Sequence, residues 1–330
     1  MNSKRKIKVA VLRGGPSSEY EVSLKTGAGV LQNLPEHYHG IDVFIDKKGV
    51  WHINGMPFDP KHLDKKADVA FIAMHGEYGE DGTVQRLLEQ LHVPFTGSGS
   101  LASAVGINKI LMRKVFEQHG VRMPVAKILE RKDCPNLKDA AHEVWKTFTQ
   151  PSVVKPYNLG SSVGVSIVRS MSDMEKALAK AFEKSDKVVI EECIQGKEAT
   201  CGVLENFRGK EHYPLLTVEI VPKKHQEFFD YESKYSTESG ADEICPGNFT
   251  KAETEEVQRL AVMAHKAINA GHYSRSDFMI HPKRGVYCLE INTLPGLTPT
   301  SLLPKEMEAI GSSYPELLDH LLQLALNTKK

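Results

Sequence analysis

The stretch GVYCLEINTLPG, residues 285–296, places a carboxylate and a carboxamide, Glu290 and Asn292, where an apolar strand pattern ends. Residues two apart on a strand point to the same face, so both side chains would lie together. Carboxylate and carboxamide oxygens are ligands that Mg²⁺ or Mn²⁺ prefer, with phosphate oxygens completing the coordination shell. The spacing therefore indicates cation and phosphate chemistry at the end of this strand.

A second strand pattern, residues 274–280, comes just before and is separated from the first by the turn-like sequence HPKRG. We predict an antiparallel hairpin in which His281 pairs with Val286. One face would then carry four polar side chains: Arg275, Asp277, Glu290 and Asn292. The opposite, apolar face would enter a core: Phe278, Ile280, Tyr287, Leu289 and Ile291.

In this register Asp277 lies opposite Glu290. Two carboxylates about 5 Å apart repel each other unless a cation lies between them. We therefore predict that Asp277, Glu290 and Asn292 bind a divalent cation. The alternative is a solvated hairpin face on which Arg275 simply pairs with a neighbouring carboxylate.

The segment PSVVKPYNLGSSVGVSIV, residues 151–168, reads as a strand, a glycine-rich turn and a second strand. The backbone N–H groups and hydroxyls around Ser161 and Ser162 could bind a phosphate, because glycines let the backbone approach an anion closely. The loop is not a Walker A sequence, and its lysine, Lys155, lies on the preceding strand. An ordinary flexible hairpin loop is the alternative.

The elements that must position these residues change in type along the chain. Strand patterns at 8–12 and 67–76 alternate with helical patterns at 21–34 and 83–92, which predicts an open parallel α/β sheet with ligand-binding loops at the carboxyl ends of its strands. A helical stretch follows at 101–120, with a break expected near Gly106. After about residue 125, mixed strands with a few helices predict an α+β construction.

The composition limits the function classes. A chain of 330 residues predicts two or three subdomains. Lys plus Arg equals Asp plus Glu at 42 each, which argues against a nucleic-acid partner. No apolar run is long enough to span a membrane. The five scattered cysteines fit reduced thiols, so we expect a cytoplasmic protein.

Taken together, six segments in order along nearly the whole chain closely resemble D-alanine–D-alanine ligases of the ATP-grasp superfamily. These segments are GGPSSEYEVS (14–23), HGEYGEDG (75–82), VVKPYNLGSSVGVS (153–166), DYESKY (230–235), RSDF (275–278) and EINTLPGLTPTSLLP (290–304). The sequence departs from the family pattern at Tyr20, Glu192, Cys193 and Phe229.

The resemblance implies a three-subdomain ATP-grasp fold. Residues 1–104 would form an N-terminal α/β substrate domain, 105–195 a central subdomain with the glycine-rich loop, and 196–330 a C-terminal subdomain with the metal and acceptor sites. It implies that ATP phosphorylates the carboxylate of one D-alanine and that the amine of a second D-alanine attacks the acyl phosphate. D-alanyl-D-alanine for peptidoglycan synthesis would be the product, and the protein would be a homodimer.

The resemblance also assigns roles to single residues. Two Mg²⁺ or Mn²⁺ ions would be held by the hairpin set: Asp277, Glu290 and Asn292. Arg275 would stabilise the oxyanion of the tetrahedral intermediate together with backbone near Gly296. ATP would be bound by residues from the central and C-terminal parts: Lys109, Lys155, Ser162, Glu191, Glu198 and Lys234.

For the substrates, the resemblance implies that Glu19 holds the ammonium group of the first D-alanine, near His75. Ser161 and Tyr235 would complete a hydrogen-bonded set with Glu19 that closes a lid over the site. The carboxylate of the acceptor would be bound by Ser301 and Leu302.

Three other functions remain open at this point. The acceptor could be D-lactate or D-serine, although the DYESKY segment with Tyr235 favours D-alanine. Another ATP-grasp carboxylate–amine ligase would share the hairpin and the lysines. A non-catalytic nucleotide-binding regulator would keep the glycine loop but tolerate loss of Arg275, whose role exists only in the transition state.

Overall fold

The computed structural model describes residues 5–160, 163–222 and 241–327. The helices in these ranges are α1 Tyr20–Asn33, α2 Thr83–Gln90, α3 Ser100–Ile107, α4 Lys109–Gln118, α5 Leu137–Thr147, α6 Met171–Phe182, α7 Lys251–Ala267, α8 Leu302–Ala309 and α9 Tyr314–Asn327. The strands are β1 Ile7–Gly14, β2 Tyr38–Ile45, β3 Trp51–Ile53, β4 Met56–Pro57, β5 Val69–Ile72, β6 Ala126–Glu130, β7 Ser152–Pro156, β8 Ser166–Val168, β9 Lys187–Glu192, β10 Lys197–Phe207, β11 Lys210–Pro214, β12 Val218–Val221, β13 Asp242–Ile244, β14 Tyr273–His281 and β15 Gly285–Asn292.

The N-terminal sheet has the strand order β4-β3-β2-β1-β5. The central strand β1 pairs in parallel with β2 and β5, as predicted, but β3 and β4 add an antiparallel edge, so the sheet is mixed. Asn54 and Gly55, both with positive φ, form the tight turn between β3 and β4. Asn-Gly is the strongest short hairpin signal, so this edge was readable from the sequence.

The helical stretch after this sheet breaks at Asn108 and not at Gly106. Asn108 adopts an extended backbone, and its side chain accepts hydrogen bonds from the N–H groups of Ile110 and Leu111, which starts α4. Gly106 lies inside α3, where an added Cβ would come within 3.0 Å of the Thr293 methyl group. The glycine therefore permits close packing, whereas the asparagine cap ends one helix and begins the next.

The second sheet is antiparallel, with the order β6-β9-β7-β8. Helices α5 and α6 pack on it around Val154, Leu178 and Ile190, which are fully buried. The glycine-rich loop joins β7 to β8 and therefore projects from the end of this sheet.

The third sheet has the order β13-β12-β10-β14-β15, with β11 paired to β10. Along β10, Cys201 and Val203 belong to a core shared with α7, whereas Leu204 belongs to the core of the N-terminal sheet. The alternation shows that both faces of this sheet are covered. The subdomain limits 1–104, 105–195 and 196–330 stay a prediction.

The β14–β15 hairpin contains a one-residue irregularity. Asp277 pairs with Glu290 as predicted, but Phe278 pairs with Cys288, so Leu289 is a β-bulge. At the turn His281 pairs with Gly285, and the prediction of Val286 was wrong by one residue. The bulge compensates for this difference before the polar residues are reached.

The bulge also changes which side chains of β15 enter the core. Val286 and Cys288 join Phe278 in the core under α7, in place of the predicted Tyr287 and Leu289. Among the described residues, none of the helices combines the length and the apolar character needed to cross a membrane.

Candidate active site

Two adjoining cavities lie where the three sheets meet. The first, the arginine cavity, has a volume of about 410 Å³. Ten predicted site residues line it: Glu19, His75, Glu198, Arg275, Asp277, Glu290, Asn292, Gly296, Ser301 and Leu302. The second, the lysine cavity, has a volume of about 500 Å³ and is lined by six: Lys109, Lys155, Glu191, Glu198, Asp277 and Glu290.

Glu198, Asp277 and Glu290 line both cavities and form their common wall. Every predicted site residue that the structure describes therefore lies on one continuous cleft. Four further predictions lie outside the described residues: Ser161, Ser162, Lys234 and Tyr235.

The polar face of the β14–β15 hairpin supplies most of this wall. Arg275 forms a two-pronged ion pair with Asp277, in which Nε–Oδ1 and Nη2–Oδ2 are both 2.9 Å. Thr200 on β10 donates to Asp277 Oδ1 at 2.7 Å, and Asn292 Nδ2 donates to Asp277 Oδ2 at 3.3 Å. Burial opposes the charge on Arg275, but Asp277 more than offsets it and raises the pKa of the guanidinium above its usual value. Arg275 therefore stays charged.

The same wall suits a divalent cation. Asp277, Glu290 and Asn292 offer carboxylate and carboxamide oxygens on one face of a rigid hairpin, which is the ligand chemistry of Mg²⁺ or Mn²⁺. The residues present thus fit the predicted ions. Thr200, which fixes the orientation of Asp277, was missed because its contact joins residues 77 positions apart in sequence.

In the lysine cavity, Glu191 is only 2% exposed and is held by two cations. Its Oε2 lies 2.6 Å from Lys155 Nζ, and its Oε1 lies 2.9 Å from Arg113 Nη1. The carboxylate therefore positions Lys155 on β7. Arg113 on α4 was missed, because a basic residue on a helix carries no sign of its partner on a distant strand.

Lys109 is the first residue of α4, and its Nζ donates to the Leu159 carbonyl at 2.7 Å. Its Nζ also lies 3.6 Å from Glu290 Oε2. Burial lowers the pKa of Lys109, nearby Lys155 adds to this, and Glu290 opposes it. Two buried lysines in one cavity favour a bound polyanion, which would offset both effects.

Another part of the lysine cavity is apolar. The walls include Val153 and Ile167 from the second sheet, and Met279 and Leu289 from the hairpin. Leu289 faces this cavity because the β-bulge takes it out of the core. Flat apolar walls beside buried lysines suit a planar base attached to phosphates. Cys193 is also in this wall, and burial raises the pKa of its thiol.

At the far end of the arginine cavity, buried His75 contacts a carboxylate that sequence reasoning did not select. His75 Nδ1 lies 3.2 Å from Glu80 Oε1, and Nε2 lies 2.9 Å from Thr26 Oγ1. Burial opposes a charged His75, but Glu80 outweighs it and raises the pKa of the imidazole. Burial raises the pKa of Glu80, with His75 opposing. Glu80 belongs to the HGEYGED sequence, so its motif was visible although its role was not.

Glu19 precedes α1 and is 6% exposed. Two glycines bring backbone close to its carboxylate. An added Cβ at Gly76, whose φ is +70°, would lie 3.1 Å from Glu19 Oε2 and 2.4 Å from Ser17 Oγ. An added Cβ at Gly160 would lie 3.5 Å from the same oxygen. The loop after β5 and the glycine-rich loop thus converge on Glu19.

Ser301 precedes α8 and folds back on the backbone before it. Its Oγ accepts from the Thr298 N–H at 3.1 Å and lies 2.7 Å from Thr298 Oγ1. An added Cβ at Gly296 would lie 3.0 Å from Ser301 Oγ, so only glycine leaves this approach open. The turn holds the Gly296 backbone and the start of α8 on one side of the cavity.

A buried carboxyl group that the sequence did not reveal lies behind Arg275. Glu306 on α8 is 0% exposed, and its Oε1 accepts from the Gly202 N–H at 3.0 Å. Gly202 pairs directly with Arg275 in the β10–β14 ladder. Burial raises the pKa of Glu306 well above its usual value, although Arg275 opposes this.

Comparison with known proteins identifies the architecture. A family model described as D-ala D-ala ligase C-terminus matches residues 115–323, and one described as D-ala D-ala ligase N-terminus matches residues 8–62 and 54–98. A D-alanine--D-alanine ligase from Citrifermentans bemidjiense is 40% identical over 324 residues, covering 97% of each chain.

Two solved structures show the same architecture. The D-alanine--D-alanine ligase from Bacillus anthracis complexed with ATP is 31% identical with a TM-score of 0.77 and covers 97% of each chain. The VanG D-Ala:D-Ser ligase from Enterococcus faecalis is 29% identical with a TM-score of 0.84, covering 97% of this chain and 99% of that one.

These full-length likenesses confirm the predicted ATP-grasp fold. The relative at 40% identity and the two family models all point to the same ligase family. The chain belongs to the D-alanine–D-alanine ligase family.

Proposed function

We propose that this chain joins two molecules of D-alanine to form D-alanyl-D-alanine, which is used in peptidoglycan synthesis. The reaction consumes ATP and releases ADP and phosphate. The observation that carries the proposal is the common wall, where Asp277 and Glu290 lie between a cavity suited to a nucleotide and a cavity that holds Arg275 and the buried acid Glu19. The reactive phosphate and the reactive carboxylate would meet there.

ATP occupies the lysine cavity in this proposal. The base lies between the apolar walls, and Lys109 and Lys155 bind the phosphates. Glu191 holds Lys155 in place through its 2.6 Å ion pair. Glu198, which lines both cavities, is positioned to bind the ribose. Lys234 and Ser162 complete the proposed nucleotide site.

Asp277, Glu290 and Asn292 would hold two Mg²⁺ or Mn²⁺ ions. Such ions supply charge neutralisation at the phosphate oxygens. The chain itself contributes Arg275, which lines the arginine cavity and is kept charged by Asp277. A fixed guanidinium beside the Gly296 backbone stabilises the oxyanion that develops in the transition state.

The two D-alanines occupy the arginine cavity. Glu19 binds the ammonium group of the first, near the His75–Glu80 pair, and Ser161 and Tyr235 close the lid.

The carboxylate of the first D-alanine attacks the γ-phosphorus and ADP leaves. The amine of the second attacks the acyl carbon, phosphate leaves, and the amine loses its proton. Ser301 and Leu302, at the positive end of α8, bind the acceptor carboxylate.

Phosphate release from ATP tests the proposal. Release should depend on D-alanine, and Arg275→Ala should lower kcat by about 10³-fold because it removes one donor to the oxyanion. Nucleotide affinity should change little. The control is Arg259→Ala on α7, an exposed arginine paired with Glu256. Release that ignores D-alanine would contradict the ligase assignment, and an unchanged kcat in Arg275→Ala would contradict the role of Arg275.

The acceptor is the part of the proposal with a specific rival, because one structural neighbour is a D-Ala:D-Ser ligase. We propose D-alanine over D-serine and D-lactate. Competition between the three acceptors, with products separated by mass, measures this preference. Dominant D-alanyl-D-serine or ester product at neutral pH would reverse it.

Three further points belong to the proposal. The protein acts in the cytoplasm and as a homodimer. The segment 1–104 carries the first substrate, 105–195 covers the nucleotide and 196–330 carries the metal and acceptor sites. Sedimentation of the purified chain tests the dimer.

A further inference from the structure

A second cluster of ligand-type side chains lies away from the cleft. Glu205 on β10, His212 on β11 and His265 on α7 each offer one ligand atom, and these three atoms lie within 4.8 Å of one another. Glu205 and His212 are directly paired across the two strands. Glu205 lies five positions after Thr200 on β10, about 17 Å along the strand from the contact between Thr200 and Asp277.

The cluster also faces the other side of the sheet. Glu205 shares its face of β10 with Cys201 and Val203, which pack under α7. Thr200, two ladder positions from Arg275, points towards the cleft through Asp277. The two sites therefore do not share ligands.

His265 has the burial and the hydrogen bonding of a metal-binding histidine. It is 0% exposed, and its Nδ1 lies 2.8 Å from Ser274 Oγ, which fixes the ring. Its buried Nε2 has no hydrogen-bond partner in the described part of the chain and lies 3.5 Å from Glu205 Oε1. Metal-binding histidines have this arrangement, in which the second ring nitrogen is held by a neighbour.

Glu205 is held in the same manner. Its Oε2 accepts from the His272 N–H at 2.7 Å, which leaves Oε1 directed at His265. The ring of His212 lies edge-on to that of His265, with centroids 5.5 Å apart. Two imidazoles and one carboxylate thus converge, each on a different element.

We propose that Glu205, His212 and His265 bind one Zn²⁺ or a similar borderline transition-metal ion. Two imidazole nitrogens and one carboxylate oxygen are a typical zinc set, whereas Mg²⁺ prefers oxygen alone. In a tetrahedral zinc site neighbouring ligand atoms lie about 3.4 Å apart. The side chains of Glu205 and His212 are 25% and 15% exposed, so small rotations of both can bring their ligand atoms to this distance from His265 Nε2.

The ion has a structural role in this proposal. It joins the β10–β11 hairpin to the end of α7, and Glu205 is itself bonded to the backbone of His272 in the segment between α7 and β14. Binding to the folded chain alone raises the stability of the fold.

Zinc binding is measured on the untagged full-length chain, stripped with a chelator, by titration calorimetry in millimolar Mg²⁺ to occupy oxygen-rich sites. One Zn²⁺ should bind per chain and raise Tm by a few degrees. In His212→Gln and Glu205→Gln the affinity should fall at least tenfold and the Tm shift should vanish. His39→Gln, an exposed histidine on β2, should behave as the parent chain.

A cobalt titration separates this site from thiol sites. Co²⁺ should give the visible bands of tetrahedral nitrogen and oxygen coordination without a thiolate charge-transfer band. Ligase activity in Mg²⁺ should persist in both variants, which reports that they fold. The proposal is overturned if the parent chain does not bind zinc, or if the cobalt complex shows a thiolate band. It is also overturned if His212→Gln and Glu205→Gln bind zinc as tightly as the parent chain.

Discussion

The two cavities of the cleft differ in how their charges are arranged. Four basic side chains line the lysine cavity: Lys109, Lys155, Arg169 and Lys197. Only two line the arginine cavity, Lys25 and Arg275. Six carboxylates line each cavity, so the difference lies in the number of basic side chains that face them. Apolar residues such as Val153 and Ile167 are also more numerous around the lysine cavity than around the arginine cavity.

This difference matches the charges of the two proposed ligands. A nucleotide brings several negative charges and a flat apolar base, and it needs lysines and apolar walls. A D-amino acid brings an ammonium group into an acidic pocket. The shared residues, Asp277 and Glu290, would bind cations in either case, and their position in the common wall explains why one hairpin serves both cavities.

The largest effect should come from the common wall. Asp277→Asn keeps the shape but removes a ligand charge and half of the ion pair with Arg275. We expect kcat to fall about 10³-fold or more, because both the phosphate and the oxyanion lose support. Phosphate-release kinetics give the measurement, and Asp42→Asn, an exposed aspartate paired with Arg13, is the control. A loss below tenfold would show that the cavities do not depend on the shared wall.

A change confined to the lysine cavity should separate the two ligands. Lys155→Met removes a charge proposed to bind phosphate and leaves Glu191 with the ion pair to Arg113. We expect KM for ATP to rise about tenfold or more, with KM for D-alanine nearly unchanged. Lys25→Met is the matched variant in the arginine cavity, where KM for ATP should stay within twofold. An equal rise in KM for ATP in Lys155→Met and Lys25→Met would contradict the proposal that ATP binds in the lysine cavity alone.

Glu306, behind the arginine cavity, predicts a pH effect on stability. Its pKa in the folded chain is raised above the ordinary value of 4.5, so the folded state keeps a proton that the unfolded state releases above that pH. Its contribution to stability is complete below pH 4.5 and is lost as pH rises towards the folded pKa. Glutamine at this position cannot ionise, so the variant Glu306→Gln should become more stable relative to the parent as the pH rises from about 5 to about 8.

Urea unfolding at both ends of that range measures the difference. Glu243→Gln, whose carboxylate pairs with Lys305 at a half-exposed position, is the comparison and should lack this trend. A constant difference between Glu306→Gln and the parent across the range would mean that the carboxyl group is ionised when folded.

The smallest effect is expected at the rim of the lysine cavity. Glu192, one of the departures from the family pattern, pairs with Arg284 at the hairpin turn and joins the second sheet to the third. Glu192→Lys should lower Tm by no more than about 3 °C, because the arginine of this ion pair is exposed and solvent screens its charge. Thermal unfolding measures it, and the charge-reversed pair Glu192→Lys with Arg284→Glu should recover the loss. A larger loss that the reversed pair does not recover would point to packing instead.

Much of the site was accessible from the sequence because it depends on short-range geometry. The alternation of side chains on a strand predicted that Asp277, Glu290 and Asn292 lie together, and they do. The register at the turn was wrong by one residue because the Leu289 bulge has no marker in the sequence. The antiparallel edge at Asn54-Gly55 was not predicted, although Asn-Gly between two strands is a strong hairpin signal.

The residues that were missed share one property, namely that their partners are distant in sequence. Arg113, Thr200 and Glu306 each act through a contact with an element that only folding brings near. Glu80 belongs to a motif whose polar residues could not be ranked without knowing which one is buried. Residue type thus predicted the chemistry, whereas the second layer of support required coordinates.

The bulge at Leu289 also affects how related sequences should be aligned. A relative that lacks one residue between Gly285 and Leu289 would keep the register at Glu290 and Asn292 but lose the bulge that places Leu289 in the lysine cavity. A single-residue gap in this segment should therefore be placed before Leu289, because a gap moved past Glu290 would misalign the proposed cation ligands.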